Sequence, residues 1–404
     1  MLRVVWLCHF SSSEIQSILR PWRVGAQFAP WISYTLKAFE NCDSAELHVV
    51  SPHEYIPALR EFVHNGVFYH FYNPFVPLLG RHWPGFFRLD KWTNFAGNKR
   101  VVARLIERIA PDIIHLQGAE NPYYSSTALQ FMDKLPLVVN LQRINTEFIQ
   151  GAGQRASIEK AILSRAQYFS IRTKTMERDF MAFRPDARVF WVKYAMPQYR
   201  PIIAIKEYEV VFFAQVGKEK GIEDLLQAFS LIRKRIEDAK LCVIGSVTES
   251  YKTRLLALTQ ELDIIDGVTW KGRLPNLSDV HLEASKAKVS VLPTYNDIIS
   301  GTIIESMQLG LPVVSYKTGS IPELNEDREN VLLSERGDVE GLAKNILKLL
   351  TDQELYNTMS QRGIDCIKQR YSNLNVLKQH LDCYGEVIAD FHNSKIKKQA
   401  TELP

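Results

Sequence analysis

The chain has 404 residues, which at about 150 residues per domain points to two or three domains rather than one compact core. Hydrophobic residues make up 46% and charged residues 23%, with Gly 20 and Pro 18, a composition that excludes collagen-like, disordered and coiled-coil classes. Lys and Arg total 49 against 45 Asp and Glu, and the net charge of +4 is too small to argue for nucleic acid, so any anion site must be local.

The run Val4 to Phe10 is preceded by a single Arg3 and followed by no small-residue cleavage pattern. It reads as a first β-strand rather than a signal peptide, and the chain is expected to start inside its first domain. Further β-branched runs follow at Ala45 to Val50, Asp112 to Leu116, Pro136 to Leu141, Tyr168 to Ile171 and Val189 to Val192. Amphipathic stretches separate them, which is the rhythm of a parallel sheet with crossover helices. The longest stretch free of Asp, Glu, Lys and Arg, Phe62 to Gly80, contains His64, His70, Pro74 and Pro77, so no transmembrane helix is expected.

After Met196 to Pro201 the pattern restarts with Val210 to Val216, Leu241 to Gly245, Val268 to Trp270, Val289 to Pro293, Pro312 to Tyr316 and Val331 to Leu333. A second doubly wound domain is therefore expected beyond a Pro-flanked hinge, over 205–371, with the first over 1–197. Its first helix, opened by Gly221, carries Ile222, Leu225, Leu226, Phe229 and Ile232 on one face. Residues 372–404 read as a long helix bearing Leu374, Leu377, Leu381, Tyr384 and Val387, followed by a loose polar tail from Asn393. Cys8, Cys42, Cys242, Cys366 and Cys383 form neither a disulfide framework nor a zinc pattern, which fits a reducing cytoplasm.

Two such domains leave a cleft at the carboxyl ends of their sheets, where open parallel sheets bind ligands. The strongest constellation runs from Leu292 to Val314: strand, polar loop, short helix, Gly310 stop, strand. Ser300, Gly301 and Thr302 lie at the helix start, where unpaired N–H groups hold an anion, and Asp297 and Glu305 bracket it with carboxylates suited to sugar hydroxyls. Read alone, Thr302 to Glu305 is equally a capping box and Thr294 to Asp297 a turn cap.

That constellation resembles the retaining glycosyltransferases of family 4, which have the GT-B architecture of two facing Rossmann-like domains with a C-terminal helix crossing back to the first. The family carries two Glu with seven residues between them in this unit, and Asp297 and Glu305 keep that spacing. The resemblance implies that Glu305 accepts from a donor ribose and that Asp297, an Asp where the family has Glu, sits beside the transferred sugar. Phe213 to Ile222 resembles the family's diphosphate-clamping turn, with Lys220 kept, Gln215 at the Arg position and Lys218 as a second cation; read alone, the two lysines are ordinary solvated residues. Gly272, Arg273 and Leu274 would line the base pocket, and Gly25 stands at the family's Gly-rich loop near the donor phosphates. Gly319, Pro322 and Glu323 read as a turn and cap. In the first half, Pro111 to Gly118 and Leu137 to Gln142 resemble family strands that end in His. Here they end in Gln117 and Gln142, which with His115 are acceptor-side candidates.

The resemblance implies a metal-independent enzyme without cofactor, moving a hexose-type sugar from a nucleotide diphosphate to an acceptor hydroxyl with retention, in polysaccharide or glycoconjugate biosynthesis. Two alternatives stay open: a nucleotide-sugar epimerase of similar fold, and a catalytically weakened nucleotide-sugar-binding subunit. The acceptor is expected to be a glycan or a lipid-linked molecule. Phe68 to Trp92 crowds Phe68, Tyr69, Phe71, Tyr72, Phe75, Trp83, Phe86, Phe87 and Trp92, and Arg81, Arg88, Lys91, Lys99, Arg100, Arg104 and Arg108 lie among or just after them. This interleaving over 68–104 suits peripheral docking at the inner face of the cell membrane, or else core rings beside a solvated basic helix face.

Overall fold

The structure, a computed structural model, describes residues 1–75, 89–142, 153–297 and 300–401. The chain divides into two compact units, Met1–Met196 with Tyr371–Pro404, and Pro197–Arg370.

The first unit holds an eight-stranded sheet of β1 (Leu2–Leu7), β2 (Ala45–Pro52), β3 (Arg60–His64), β4 (Val67–Tyr72), β5 (Ile113–Gln117), β6 (Leu137–Asn140), β7 (Tyr168–Ile171) and β8 (Arg188–Trp191). The order is β3-β4-β2-β1-β5-β6-β7-β8, and every pair is parallel except β3 with β4. β1, β5 and β6 are apolar along nearly their whole length because helices cover both faces. The end of β3, from Phe62, and all of β4 fall in the segment read as charge-free and aromatic. Tyr69, Phe71 and Tyr72 are buried there, Phe68 stacks on His48 at 4.7 Å, and Phe75 meets Tyr123 edge-on at 5.4 Å. Tyr69, Phe71 and Tyr72 are core, while Phe68 and Phe75 are half-buried. Trp92 is exposed, while Arg81, Trp83, Phe86, Phe87 and Arg88 lie outside the described residues.

The last helix, Asn373–Thr401, belongs to the first unit. Val376, Cys383, Tyr384, Val387 and Phe391 join its core, and the Tyr384 hydroxyl accepts from Trp6 Nε1 at 2.8 Å. Leu374, placed by its spacing on the apolar face, is 75% exposed. Helix also continues past Asn393, where polar composition suggested a loose tail. All five cysteines are unpaired.

The second unit holds β9 (Tyr208–Phe213), β10 (Leu241–Ile244), β11 (Val268–Gly272), β12 (Ala287–Leu292), β13 (Val313–Tyr316) and β14 (Leu332–Ser334). They are ordered β11-β10-β9-β12-β13-β14, all parallel. The helix Ile222–Arg233 buries Ile222, Leu225, Leu226, Phe229 and Ile232, the face its periodicity marks. The order of strands reverses between β9 and β12, and at that point the loops leaving two neighbouring strands diverge and open a crevice.

Candidate functional site

In the second unit the turn after β9 and the loop after β12 interlock at this switch point. Gly221 has φ +71°, and a Cβ there would lie 2.0 Å from the Pro293 carbonyl oxygen, so only glycine lets the two loops approach. The Glu219 carbonyl accepts from the Tyr295 N–H at 2.8 Å and from Thr294 Oγ1 at 3.2 Å. The neighbouring turn is equally tight: Gly245, after β10, has φ +150° and no room for a Cβ against the Ala214 carbonyl.

This contact brings Lys220 and Asp297 together, with Nζ 2.5 Å from Oδ2. The two side chains are 27% and 20% exposed, so the pair lies open to a ligand on one side. Thr294 Oγ1 donates to the same carboxylate oxygen at 3.3 Å. Asp297 is thus engaged by a cation and a hydroxyl. Gln215 and Lys218 stand exposed on the same turn.

A second carboxylate braces the loops from behind. Asp224 accepts the hydroxyls of Tyr295 at 2.5 Å and Tyr316 at 2.7 Å. The Asp224 carboxylate, with burial, pushes the Tyr295 hydroxyl up to about 12, and burial followed by the same carboxylate drives Tyr316 higher still. Both stay protonated donors, so Asp224 holds the β12 and β13 ends in place. Asp224, Tyr295 and Tyr316 were not singled out from the sequence.

The helix Gly301–Gln308 starts at Ser300, whose side chain makes no cap. Thr302 is therefore the second helical residue, and Glu305 lies beyond the first turn, so the capping box read from the sequence does not form. The N–H groups of Gly301 and Thr302 have no side-chain cap and stand at the positive end of the helix. Glu305 is held instead by His281, with Nε2 3.2 Å from Oε2. The His281 ring is almost fully buried and meets Tyr199 edge-on at 4.4 Å. Gly272 ends β11 and Arg273 follows it, exposed, and Leu274 packs on the apolar cluster beneath. Gly319, Pro322 and Glu323 form the turn and 3-10 segment read for them, with Ile321–Asn325 starting at Ser320.

The remaining candidates belong to the first unit. Gly25 lies between the helices Ser13–Leu19 and Pro30–Phe39, and its carbonyl accepts from Gln16 Nε2 at 3.0 Å. His115 is in the core, with Nδ1 2.8 Å from the Tyr384 hydroxyl, and burial holds its imidazole neutral, well below the usual range. It lines no cavity described for this unit. Gln117 is buried too, and its Oε1 accepts from Asn140 at 2.7 Å. Gln142 donates to the Gln117 carbonyl at 2.8 Å and lines a cavity with Trp31, Glu120, Arg155, Arg172 and Tyr194. Among the described residues no group of three His, Cys, Asp or Glu is arranged to hold a metal ion, and no helix is long and apolar enough to cross a membrane.

A family model described as "Glycosyl transferases group 1" matches residues 197–365. The N-acetyl-alpha-D-glucosaminyl L-malate synthase of Bacillus anthracis is 28% identical over 213 residues, covering 52% of this chain and 54% of that protein. The capsular polysaccharide biosynthesis glycosyltransferase CapM of Staphylococcus aureus is 26% identical over 186 residues, covering 45% and 47%. The chain spans about half the length of these curated relatives. Among solved structures, a sucrose-phosphate synthase from Thermosynechococcus elongatus superposes with a TM-score of 0.64 at 17% identity, over 96% of this chain and 100% of that one. Anabaena HepE in complex with UDP superposes equally, with a TM-score of 0.64 at 15% identity, over 96% and 100%.

Proposed function

We propose, from the premise that residues 197–365 belong to the glycosyl transferases group 1 family and that the chain has the GT-B fold, that this protein transfers a hexose-type sugar. The donor is a nucleotide diphosphate sugar, the acceptor is a hydroxyl, and the anomeric configuration is retained. The observation that carries this reading is the Lys220–Asp297 contact at 2.5 Å, which joins the two motif tracts at the switch point of one sheet.

In this reading Lys220 and the helix start at Ser300 to Thr302 receive the diphosphate, one as a point charge and the other as fixed N–H dipoles. Together with Lys218 they supply the positive field that stabilises the leaving group, the role a bound cation would otherwise fill. Glu305, held by His281, accepts from the vicinal ribose hydroxyls. The backbone of Gly272 to Leu274 borders the base. Asp297 holds Lys220 before the donor arrives and then turns toward the sugar. The structure of HepE with UDP and the capsular polysaccharide relative support a uridine donor and a glycan acceptor. The departure at Gln215, which lacks the bidentate charged fork of an Arg, is the feature that favours the weakened binding subunit as a second reading.

The test is incubation with uridine, guanosine and adenosine diphosphate sugars, monitored by NMR at the anomeric proton. Slow hydrolysis or transfer with the donor's own anomeric configuration is expected. An isomerised nucleotide sugar would make the protein an epimerase. Thermal stabilisation without turnover would make it a binding subunit.

A further inference from the structure

One face of the first unit's sheet carries a row of charged and imidazole side chains that apolar packing does not explain. Arg3 of β1 stands opposite Glu46 of β2, and Glu61 of β3 stands opposite His70 of β4. His48 lies two residues after Glu46 and opposite Phe68, so the alternation of strand side chains puts all six on one face. The C-terminal end of the helix Ala96–Ile109 packs there. Arg108 pairs with Glu61, and Arg3 donates to the Ile109 carbonyl at 3.0 Å.

The contacts along this row are unbroken. Arg3 Nε donates to Glu46 Oε1 at 2.7 Å, and the same oxygen lies 2.9 Å from His48 Nε2. His48 Nδ1 lies 3.0 Å from His70 Nε2, and His70 Nδ1 lies 2.6 Å from Glu61 Oε1. The two imidazole planes are 17° apart with centroids 5.3 Å from each other, a span that the N···N contact and the two ring radii fill end to end. The facing nitrogens therefore point at each other in the ring planes, as in a hydrogen bond. Both imidazoles are only 10% exposed, so water is poorly placed to replace a lost contact.

Each of the three gaps, Glu46 to His48, His48 to His70 and His70 to Glu61, needs one proton, and two neutral imidazoles supply two. The carboxyls do not supply the third. The bond to His48, with Arg3, holds Glu46 below the usual carboxylate range; burial would raise Glu61, but Arg108 and His70 together hold it low. The third proton is therefore an extra one on the imidazole pair. Without it, two lone pairs face each other across one gap. With one more, two N–H groups meet head to head.

We propose that His48 and His70 form a proton-gated clasp, which holds the β3–β4 edge to the sheet and to the helix end while the pair shares one extra proton, and loosens when pH removes that proton or adds another. β3 is the outermost strand and joins the sheet through β4 alone, so the clasp acts where the sheet is least supported. Among the described residues, the charged groups facing the pair are Arg3, Glu46, Glu61 and Arg108; His64 points to the other face of β3 and pairs with Glu14. In the unfolded chain both imidazoles titrate near their ordinary value of about 6.5. Above that pH the unfolded chain carries no extra proton while the folded pair keeps one, so stability falls as pH rises through the point where the pair releases it. Below that pH the unfolded chain carries two while the folded pair still carries one, so stability falls as pH drops. Burial, opposed by Glu61 and reinforced by His48, holds His70 below its ordinary value, the direction required of the second proton. The two apparent pKa values belong to the pair rather than to either ring.

The experiment compares the full chain with the double variant His48→Gln/His70→Gln, whose amides can hydrogen-bond but do not titrate. The difference in Tm between the two proteins, followed from about pH 5 to about pH 9, cancels the titration of the other histidines. It is expected to peak near pH 6.5 and to fall by about 2–4 °C toward each end, and the relative protection of the β3 and β4 amides from hydrogen exchange should follow the same curve. A difference that is flat, or that changes in one direction only, would overturn the proposal. Nitrogen NMR of the unmodified protein at about pH 6.5 needs no variant: a coupling from one imidazole N–H to the bare nitrogen of another is expected, with three of the pair's four ring nitrogens protonated. Only two protonated nitrogens in the pair, or no coupling between imidazoles, would overturn the clasp even where the double variant fails to fold.

Discussion

Replacing Asp297 by Asn should strengthen the binding of UDP. Lys220 Nζ lies 2.5 Å from Asp297 Oδ2, and a phosphate oxygen contacting the same ammonium at tetrahedral geometry would sit about 4 Å from that carboxylate. Two like charges at about 4 Å repel by about 1 kcal/mol in water and about 4 kcal/mol at the effective dielectric of a protein surface. Asp297 is one-fifth exposed, so a value of about 2 kcal/mol is reasonable for the repulsion relieved. Against it stands the loss of the ion pair that orders Lys220, worth up to about 1 kcal/mol for such a half-open pair. The balance is about 1 kcal/mol, or roughly fivefold tighter UDP binding by calorimetry. Uridine, which carries no phosphate, should bind unchanged. Thr294 can still donate to the Asn carbonyl oxygen, so the loop should keep its shape and the Tm should hold. Unchanged or weaker UDP affinity in a folded variant would refute the assignment of Lys220 to the diphosphate. In the same variant, transfer should fall while UDP binding rises, because the carboxylate that turns toward the sugar is gone.

Glu305→Gln should weaken the donor complex by roughly 1.5–3 kcal/mol, because an ionic acceptor for ribose hydroxyls is lost; folding should be little affected, since Glu305 caps no helix, and both are read from UDP titrations and thermal melts. Lys220→Ala should reduce affinity for UDP and leave that for uridine nearly unchanged; equal losses would count against a phosphate contact. Gly221→Ala should lower the Tm sharply, because the positive φ alone costs roughly 1–2 kcal/mol and the added Cβ would lie 2.0 Å from the Pro293 carbonyl oxygen; an unchanged melt would mean the two loops do not interlock. Co-sedimentation with anionic vesicles tests the basic stripe of the helix Ala96–Ile109, where Arg100, Arg104 and Arg108 are exposed a turn apart and Trp92 is 72% exposed. Binding at low salt that high salt reverses would support peripheral docking, and no binding at low salt would end that reading.

The alternation of β-branched runs with amphipathic stretches was enough to locate β1, β2 and β5 to β14, because parallel strands buried on both faces stand out as short apolar runs. It missed β3 and β4. The reason is local: Phe68, His70 and Tyr72 alternate with Tyr69 and Phe71, and His70 pairs with Glu61 of β3 and with His48 of β2 inside the sheet. Aromatic and imidazole side chains obscured the pattern. The turn itself was readable, since Asn65 and Gly66 both take positive φ and Asn-Gly between apolar runs is a strong hairpin signal. The last helix shows the opposite limit. Its apolar spacing was visible, yet nothing in a spacing says that Tyr384 meets Trp6 and His115, residues some 270 or more positions away.

In the candidate site, the residues legible in the sequence are those whose chemistry a ligand would use, and the ones that stayed hidden are those that hold them. Lys220, Asp297 and Glu305 sit in short, spaced motifs. Asp224 and Tyr316 lie on a helix and a strand that read as ordinary packing, and His281 lies on a helix whose polar face gives no signal; their roles exist only because β9, β12 and β13 are neighbours. The same division explains why Glu305 was ambiguous. A Thr three residues before a Glu is a capping box only where the Thr is the N-cap, and a shift of the helix start by two residues, to Ser300, releases Glu305 to His281. Two residues is within the ordinary error of a helix boundary read from sequence, so the difference between a structural carboxylate and a ligand-binding one lay below what the pattern could resolve. Removing His281's hold on Glu305 should therefore cost donor affinity while leaving the helix intact. His281→Phe, which keeps the aromatic contact with Tyr199 but offers no nitrogen to the carboxylate, should weaken UDP binding less than Glu305→Gln does, because the acceptor survives and only its orientation is lost. A larger loss than that of Glu305→Gln in a variant of unchanged Tm would place His281 itself against the ligand.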